Sequence, residues 1–126
     1  MLKILCIIVV VILIGICLLY AFPFAKVQGR SMYPTFKEGG LLLATRLFNR
    51  NKLEIGKVYV YKRIDEDGRE YLVVKRLTNI VSLPHKGFNY LLYFEGDNAE
   101  ESYDSRQYGF INAENIIAKV LWQVKE

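Results

Sequence analysis

The chain has 126 residues, of which 17 are Lys or Arg and 13 are Asp or Glu, so its formal net charge is +4. This length accommodates one folded domain rather than two. The basic excess is small and mixed with acids, which argues against a nucleic-acid partner. The single histidine, His85, argues against a metal site built on histidines and against a Ser–His–Asp triad. We therefore expect no metal and no organic cofactor.

An apolar stretch opens the chain, and residues 4–25 carry no charged side chain. About 20 apolar residues in a helix are enough to cross a hydrocarbon layer roughly 30 Å thick. We therefore expect a transmembrane anchor over residues 1–25 and a folded domain over residues 26–126. The alternative is a cleaved signal peptide, but the apolar stretch is longer than the roughly 7–15 residues of such segments. Basic residues flank both ends of the stretch, so charge barely decides its orientation.

The rest of the chain has the pattern of short β-strands separated by turn residues. Residues 65–68, three acids and a glycine, are a hairpin signal. The sequence predicts a mainly β fold, a small antiparallel sheet or barrel-like domain behind one transmembrane helix. The predicted strands cover residues 41–47, 57–63, 71–77, 90–94 and 116–124.

Lys75 lies in the third predicted strand, where successive side chains point to opposite faces. It shares a face with Val73 and Leu77. If that face is buried, desolvation lowers the pKa of Lys75, and a neutral amine can then accept a proton. The alternative is an ordinary exposed lysine, with Leu72 and Val74 facing the core. Periodicity by itself favours the exposed lysine, because lysine is rarely buried.

Ser31 lies in a segment with the composition of a tight turn. Gly29 allows the backbone to approach a substrate closely, and Pro34 stiffens the chain after the serine. Such a turn could present the Ser31 hydroxyl together with backbone N–H groups that stabilise an oxyanion. A plain surface turn has the same composition, so this alternative stays open.

Three segments, in this order, resemble the motifs of the type I signal peptidase family. Residues 27–36 (VQGRSMYPTF) are similar to its serine motif, Gly-x-Ser-Met-x-Pro-Thr, which follows a membrane anchor. Residues 74–76 (VKR) resemble its lysine motif. The polar loop 96–106 (GDNAEESYDSR), which alone would read as a solvated connection, resembles its closing motif Gly-Asp-Asn…Ser-x-Asp-Ser-Arg. One such motif would be weak evidence, whereas three in order behind an apolar anchor are specific.

The resemblance implies a serine endopeptidase that works by a Ser–Lys dyad and an acyl-enzyme. Ser31 would be the nucleophile and Lys75 the general base. Gly29 lies where the family supports the oxyanion, and Ser102 matches the residue that orients the lysine amine. The resemblance also implies ion pairs near the site, and their members would be Arg76, Asp97, Asp104 and Arg106.

The resemblance also implies a substrate and a location. The family cuts signal peptides from exported preproteins after small residues at positions −1 and −3 from the bond. We therefore expect signal peptides and membrane lipid as partners, with export machinery as a further candidate. The chain would be a single-pass protein of the plasma membrane with its catalytic domain on the non-cytoplasmic face. The glycine form of the serine motif favours a bacterial membrane over a mitochondrial inner membrane.

Two departures from the family pattern limit what carries over. Some members have a serine where Gly29 stands, and without its hydroxyl the second oxyanion donor is unassigned. Few residues separate Pro84 from Gly96, so the large inserted β domain of many members is missing and the chain looks like a minimal catalytic core. Two other functions stay open. One is a dedicated processing peptidase for a single secreted or pilin-like substrate; the other is a catalytically silent membrane-anchored module that binds extended peptides.

Overall fold

The apolar stretch forms one α-helix, α1 (Leu2–Ala21), in a computed structural model that describes residues 1–84 and 90–124. The helix ends shortly before Pro23, since the residue preceding a proline is disfavoured in helical conformation. None of its residues is buried. At about 1.5 Å per residue, 20 residues extend roughly 30 Å, so α1 is long and apolar enough to cross a membrane. His85 lies outside the described residues.

Seven antiparallel strands in the described part of the chain form one open sheet, in the order β1-β2-β7-β3-β4-β5-β6. The predicted mainly β domain behind an apolar helix is confirmed, although the sheet is not closed into a barrel. A short helix, α2 (Ser105–Tyr108), follows β5. The strands are β1 (Phe24–Lys26), β2 (Leu41–Thr45), β3 (Val58–Ile64), β4 (Glu70–Ser82), β5 (Tyr90–Glu95), β6 (Ile111–Asn112) and β7 (Ile116–Val124).

The central strand β3 carries apolar side chains on both of its faces. Val58 and Val60 pack with residues of β2, β7 and the serine segment. Tyr59 and Tyr61 pack on the other face with residues of β4, β5 and β6, and the Tyr61 ring stacks on Phe94 with their centroids 4.4 Å apart. Because both faces are covered, the first four side chains of β3, residues 58–61, are all buried.

Strand β4 changes partners along its length, and this positions the site. Residues 70–76 pair with β3, whereas residues 76–82 pair on the other side with β5. The first half of β4 therefore keeps one edge without a strand partner. The same holds for β1, which lies at the end of the strand order. These two free edges are the walls of the groove described below.

Candidate active site

The segment that carries Ser31 is held by short backbone bonds and by the loop after β5. Gly29 has φ +77°, a conformation that glycine adopts without steric cost. Met32, the residue after Ser31, is buried in the core and anchors the turn there. The N–H of Asn98 donates to the Ser31 carbonyl at 2.9 Å, and Asn98 Nδ2 donates to the Arg30 carbonyl at 3.0 Å. The serine is thus fixed by contacts from a segment more than 60 residues away.

Lys75 lies on β4 opposite Tyr59 of β3, and only 6% of the residue is exposed. Leu77, on the same face, is also buried, whereas Leu72 is 71% exposed. The amine Nζ of Lys75 is hydrogen-bonded to Ser31 Oγ. The structure therefore brings together the two side chains that the sequence singled out, although 44 positions separate them.

Burial lowers the pKa of Lys75, because the ammonium form loses hydration inside the protein. The negative charge of Asp104 opposes this shift, and the positive charge of Arg106 adds to it. The net direction is downward, so the neutral amine is favoured relative to an exposed lysine. A hydroxyl next to such an amine is the arrangement of a nucleophile and its base.

Asp104 is fully buried, and its carboxylate accepts hydrogen bonds from residues of the closing loop 96–106, part of which forms helix α2. Its carboxylate accepts bonds from the Gly96 N–H at 2.8 Å, from Ser102 Oγ at 2.5 Å and from Arg106 Nη2 at 2.6 Å. Burial alone would raise the pKa of Asp104, but these donors outweigh it and hold the pKa well below its usual range. Asp104 therefore stays ionised close to the amine of Lys75.

Ser102 is hydrogen-bonded to Asp104. Its hydroxyl donates to the Asp104 carboxylate, and among the described hydrogen bonds none joins Ser102 to Lys75. The resemblance gave Ser102 the role of orienting the amine directly. In this geometry, its influence on Lys75 runs through the carboxylate of Asp104, whose charge acts on the amine.

A second ion pair joins β4 to the serine segment and the closing loop. Arg76 donates from Nε and Nη2 to the two carboxylate oxygens of Asp97, at 2.8 and 2.7 Å. Thr35 Oγ1 donates to the same carboxylate at 2.5 Å, and Arg76 Nη1 also donates to the Gly56 carbonyl at 2.6 Å. The hydrogen bonds from Arg76 lower the pKa of Asp97, and Asp97 raises the pKa of Arg76. A two-point pair of this kind fixes geometry as well as charge.

Sequence reasoning did not identify Gly96 as a site residue. A Cβ atom there would lie 2.2 Å from Ser102 Oγ and 2.6 Å from the Ser31 carbonyl oxygen, closer than real contacts allow. Only a glycine at position 96 lets the start of the closing loop touch both the serine segment and Ser102, which lies further along the same loop. The glycine at the head of the Gly-Asp-Asn motif was the available signal. Thr35 and Asn98 also lie in recognised motifs, yet neither was given a positioning role.

A groove of about 1140 Å³ runs past Ser31 and Lys75. One wall is the segment 24–32, which begins with the edge strand β1. The other wall is the part of β4 without a strand partner on that side, residues 70–75, together with the hairpin tip at 65–67. Exposed strand edges bind extended peptides through backbone hydrogen bonds. Among the described residues, no group of three or more His, Cys, Asp or Glu side chains is placed to hold a metal ion.

A family comparison matches the C-terminal part of the chain. Residues 89–124 match the model of a family described as signal peptidase, peptidase S26. The match covers the closing motif with Ser102, Asp104 and Arg106, and it begins after the serine and lysine motifs. The comparison with curated proteins finds no match for this chain. The resemblance to the type I signal peptidase family is confirmed, and it supports a signal-peptidase-like function in general terms.

Proposed function

We propose that this signal-peptidase-like chain is a membrane-anchored serine endopeptidase, which removes signal peptides from exported preproteins through a dyad of Ser31 and Lys75. The single observation that carries the proposal is the hydrogen bond between Lys75 Nζ and Ser31 Oγ at a lysine that is almost fully buried. A lysine held in this way serves as a base only if its amine is neutral, and its lowered pKa supports that state.

The dyad accounts for both halves of the reaction. In acylation, Ser31 Oγ attacks the scissile carbonyl carbon while the Lys75 amine takes the hydroxyl proton. The Lys75 ammonium then returns that proton to the leaving amine of the mature protein, and an ester to Ser31 is left. In deacylation, a water molecule attacks the ester carbonyl and gives its proton to Lys75, which hands it back to Ser31 Oγ. Serine and lysine are thus restored.

Oxyanion stabilisation is assigned to the backbone N–H of Ser31. Within the described residues this N–H donates to no protein acceptor, so it is available to an oxyanion. Gly29 supplies no hydroxyl, but its conformation gives the turn that presents Ser31 to the groove.

The groove suits an extended substrate with small side chains at two alternate positions. A peptide that pairs with a free strand edge points every second side chain the same way. Positions −1 and −3 therefore point to the same side, where Val27 and Met32 of one wall and Val74 of the other supply apolar contacts. Shallow apolar contacts of this kind favour small residues next to the cleaved bond.

The apolar helix α1 and the apolar surface beside it support a membrane location. We assign residues 1–25 to the anchor and residues 26–126 to the catalytic domain, on the non-cytoplasmic face of a bacterial plasma membrane, where signal peptides emerge. Phe24 and Trp122 both pair with Leu43 of β2 and are 57% and 56% exposed. Because aromatic residues are enriched at membrane interfaces, these two side chains support the proposal that the domain rests against the membrane.

Substitutions of the dyad test the proposal, in liposomes that contain the full chain and a preprotein. Ser31→Ala and Lys75→Ala should each abolish cleavage, and Lys75→Arg should fail too because arginine stays protonated. Lys119→Ala is the matched control. Lys119 of β7 pairs with Tyr59 from the side opposite to β4, and it is only partly buried. Cleavage that survives Lys75→Ala would rule out the dyad, and binding without cleavage by the wild type would favour the peptide-binding module.

A further inference from the structure

A second cleft, separate from the groove, lies where the anchor meets the domain. Its volume is about 460 Å³, and its lining includes the last two residues of α1, Tyr20 and Ala21. The Arg46 N–H donates to the Ala21 carbonyl at 2.8 Å, so the helix end is tied to the chain after β2. Because α1 extends about the thickness of a hydrocarbon layer, the cleft lies at the depth of lipid headgroups.

Three cations line this cleft: Arg46, Arg50 and Lys62. One carboxylate, Glu114, accompanies them. Among the described ion pairs, Lys62 has a partner, Glu70 at 3.5 Å, whereas neither arginine takes part in one. The cleft thus concentrates positive charge at the membrane boundary.

Both arginines are held in place by contacts that leave their charge uncompensated. The Arg46 guanidinium lies 4.5 Å from the centre of the Tyr20 ring, and the Arg50 guanidinium lies 5.1 Å from that of Phe48. Arg50 Nη1 also donates to the Ala113 carbonyl at 3.1 Å. Stacked and partly bonded guanidinium groups lose little freedom when they bind, and their geometry suits the oxygens of a phosphate.

We propose that this cleft binds the phosphate of an anionic membrane phospholipid and thereby fixes how the domain sits on the membrane. The ligand is a lipid and not a free phosphate for two reasons. The cleft borders the end of α1, and Leu47, which is 69% exposed, adds an apolar surface for the lipid's glycerol and acyl region. This inference rests on the membrane anchor of the proposed function and does not depend on the dyad.

Native mass spectrometry of the full chain in detergent tests the site, with phosphatidylglycerol and phosphatidylcholine as probes. We expect phosphatidylglycerol to be retained and phosphatidylcholine to be lost. Arg46→Gln/Arg50→Gln should weaken phosphatidylglycerol binding by roughly 25-fold, the product of about fivefold for each cation at a membrane surface. Arg46→Lys/Arg50→Lys should restore part of the binding. The matched control, Lys57→Gln/Arg69→Gln, removes the same charge from exposed positions outside the cleft and should leave binding unchanged.

The outcomes separate this site from the catalytic proposal. Equal loss in both glutamine pairs, or no loss in either, would overturn the lipid site. Displacement of the lipid by millimolar inorganic phosphate would overturn its assignment to a lipid. Peptide cleavage in detergent without anionic lipid reports folding and the dyad independently, and it should be the same in wild type and Arg46→Gln/Arg50→Gln. An inactive wild type that still retains phosphatidylglycerol would refute the catalytic proposal alone.

Discussion

Replacing Gly96 by alanine tests whether the close contacts of Gly96 with Ser31 and Ser102 hold the site together. The new Cβ would lie 2.6 Å from the Ser31 carbonyl oxygen and 2.2 Å from Ser102 Oγ, where 3.0 Å is about the smallest real separation. The first contact must open by about 0.4 Å and the second by about 0.8 Å. The Ser31 carbonyl also accepts the Asn98 N–H, so its movement disturbs the bond that positions the serine.

Displacements of this size at a reacting group carry a large kinetic cost. A misplacement of about 1 Å can cost 100-fold in rate, so we expect Gly96→Ala to lower kcat/KM by about 10-fold to 100-fold. The assay is cleavage of a preprotein with small residues at −1 and −3. Unfolding monitored by circular dichroism should show that the variant is still folded.

Gly40→Ala is the matched control. A Cβ at Gly40 would also clash, at 1.7 Å, but with the amide nitrogen at the flexible end of Gln123. That side chain can rotate away, so kcat/KM should stay near the wild-type value. A folded Gly96→Ala enzyme with wild-type kcat/KM would refute the idea that this contact positions Ser31.

Three further predictions concern the charges around the dyad. Because burial lowers the pKa of Lys75, the pH profile of kcat/KM should have a rising limb whose pKa lies below the usual lysine value of about 10.4. A rise of kcat/KM confined to pH above about 10 would contradict this. Ser102→Ala should slow cleavage about tenfold or more and shift that limb, since its hydroxyl bonds Asp104; Ser82→Ala, an exposed serine at the end of β4, is the control. Asp104→Asn should lower the free energy of unfolding at pH 7 by about 1–3 kcal/mol, because it replaces a fully buried carboxylate that accepts several bonds. Because the pKa of Asp104 is lowered in the folded state, its stabilising effect is complete above its pKa in the unfolded chain, near 4, and is lost as the pH falls. The free energy of unfolding of Asp104→Asn, measured with denaturant, should therefore depend less on pH between about 4 and 2 than that of the wild type.

The sequence predicted the strands that have long, locally patterned runs. The prediction for residues 116–124 matches β7 at both ends, and residues 41–47, 57–63, 71–77 and 90–94 correspond to β2, β3, β4 and β5. The three-residue strand β1 was missed, because Phe24 and Ala25 continue the apolar run of the anchor. Strand β6 and helix α2 are also too short to give a periodic signal.

The face of Lys75 could not be predicted from local pattern. Both sets of neighbours in β4 are apolar, Val73 with Leu77 and Leu72 with Val74, so alternation alone did not distinguish them. Packing across the sheet decides the outcome, because Lys75 lies opposite the buried Tyr59. The motif resemblance compensated for this at the dyad, but it did not indicate that Ser102 contacts Asp104.

Direct titration of the Lys75 amine tests the central claim most closely. The full chain would be labelled with ¹³C at the lysine Cε atoms, and the Lys75 signal would be assigned by its absence in Lys75→Arg. Following the chemical shift with pH in detergent reports the protonation of that amine. We predict that Lys75 loses its proton at a clearly lower pH than the exposed lysines of the domain. A Lys75 signal that titrates together with those exposed lysines would contradict the account, because a fully protonated amine cannot take the proton of Ser31.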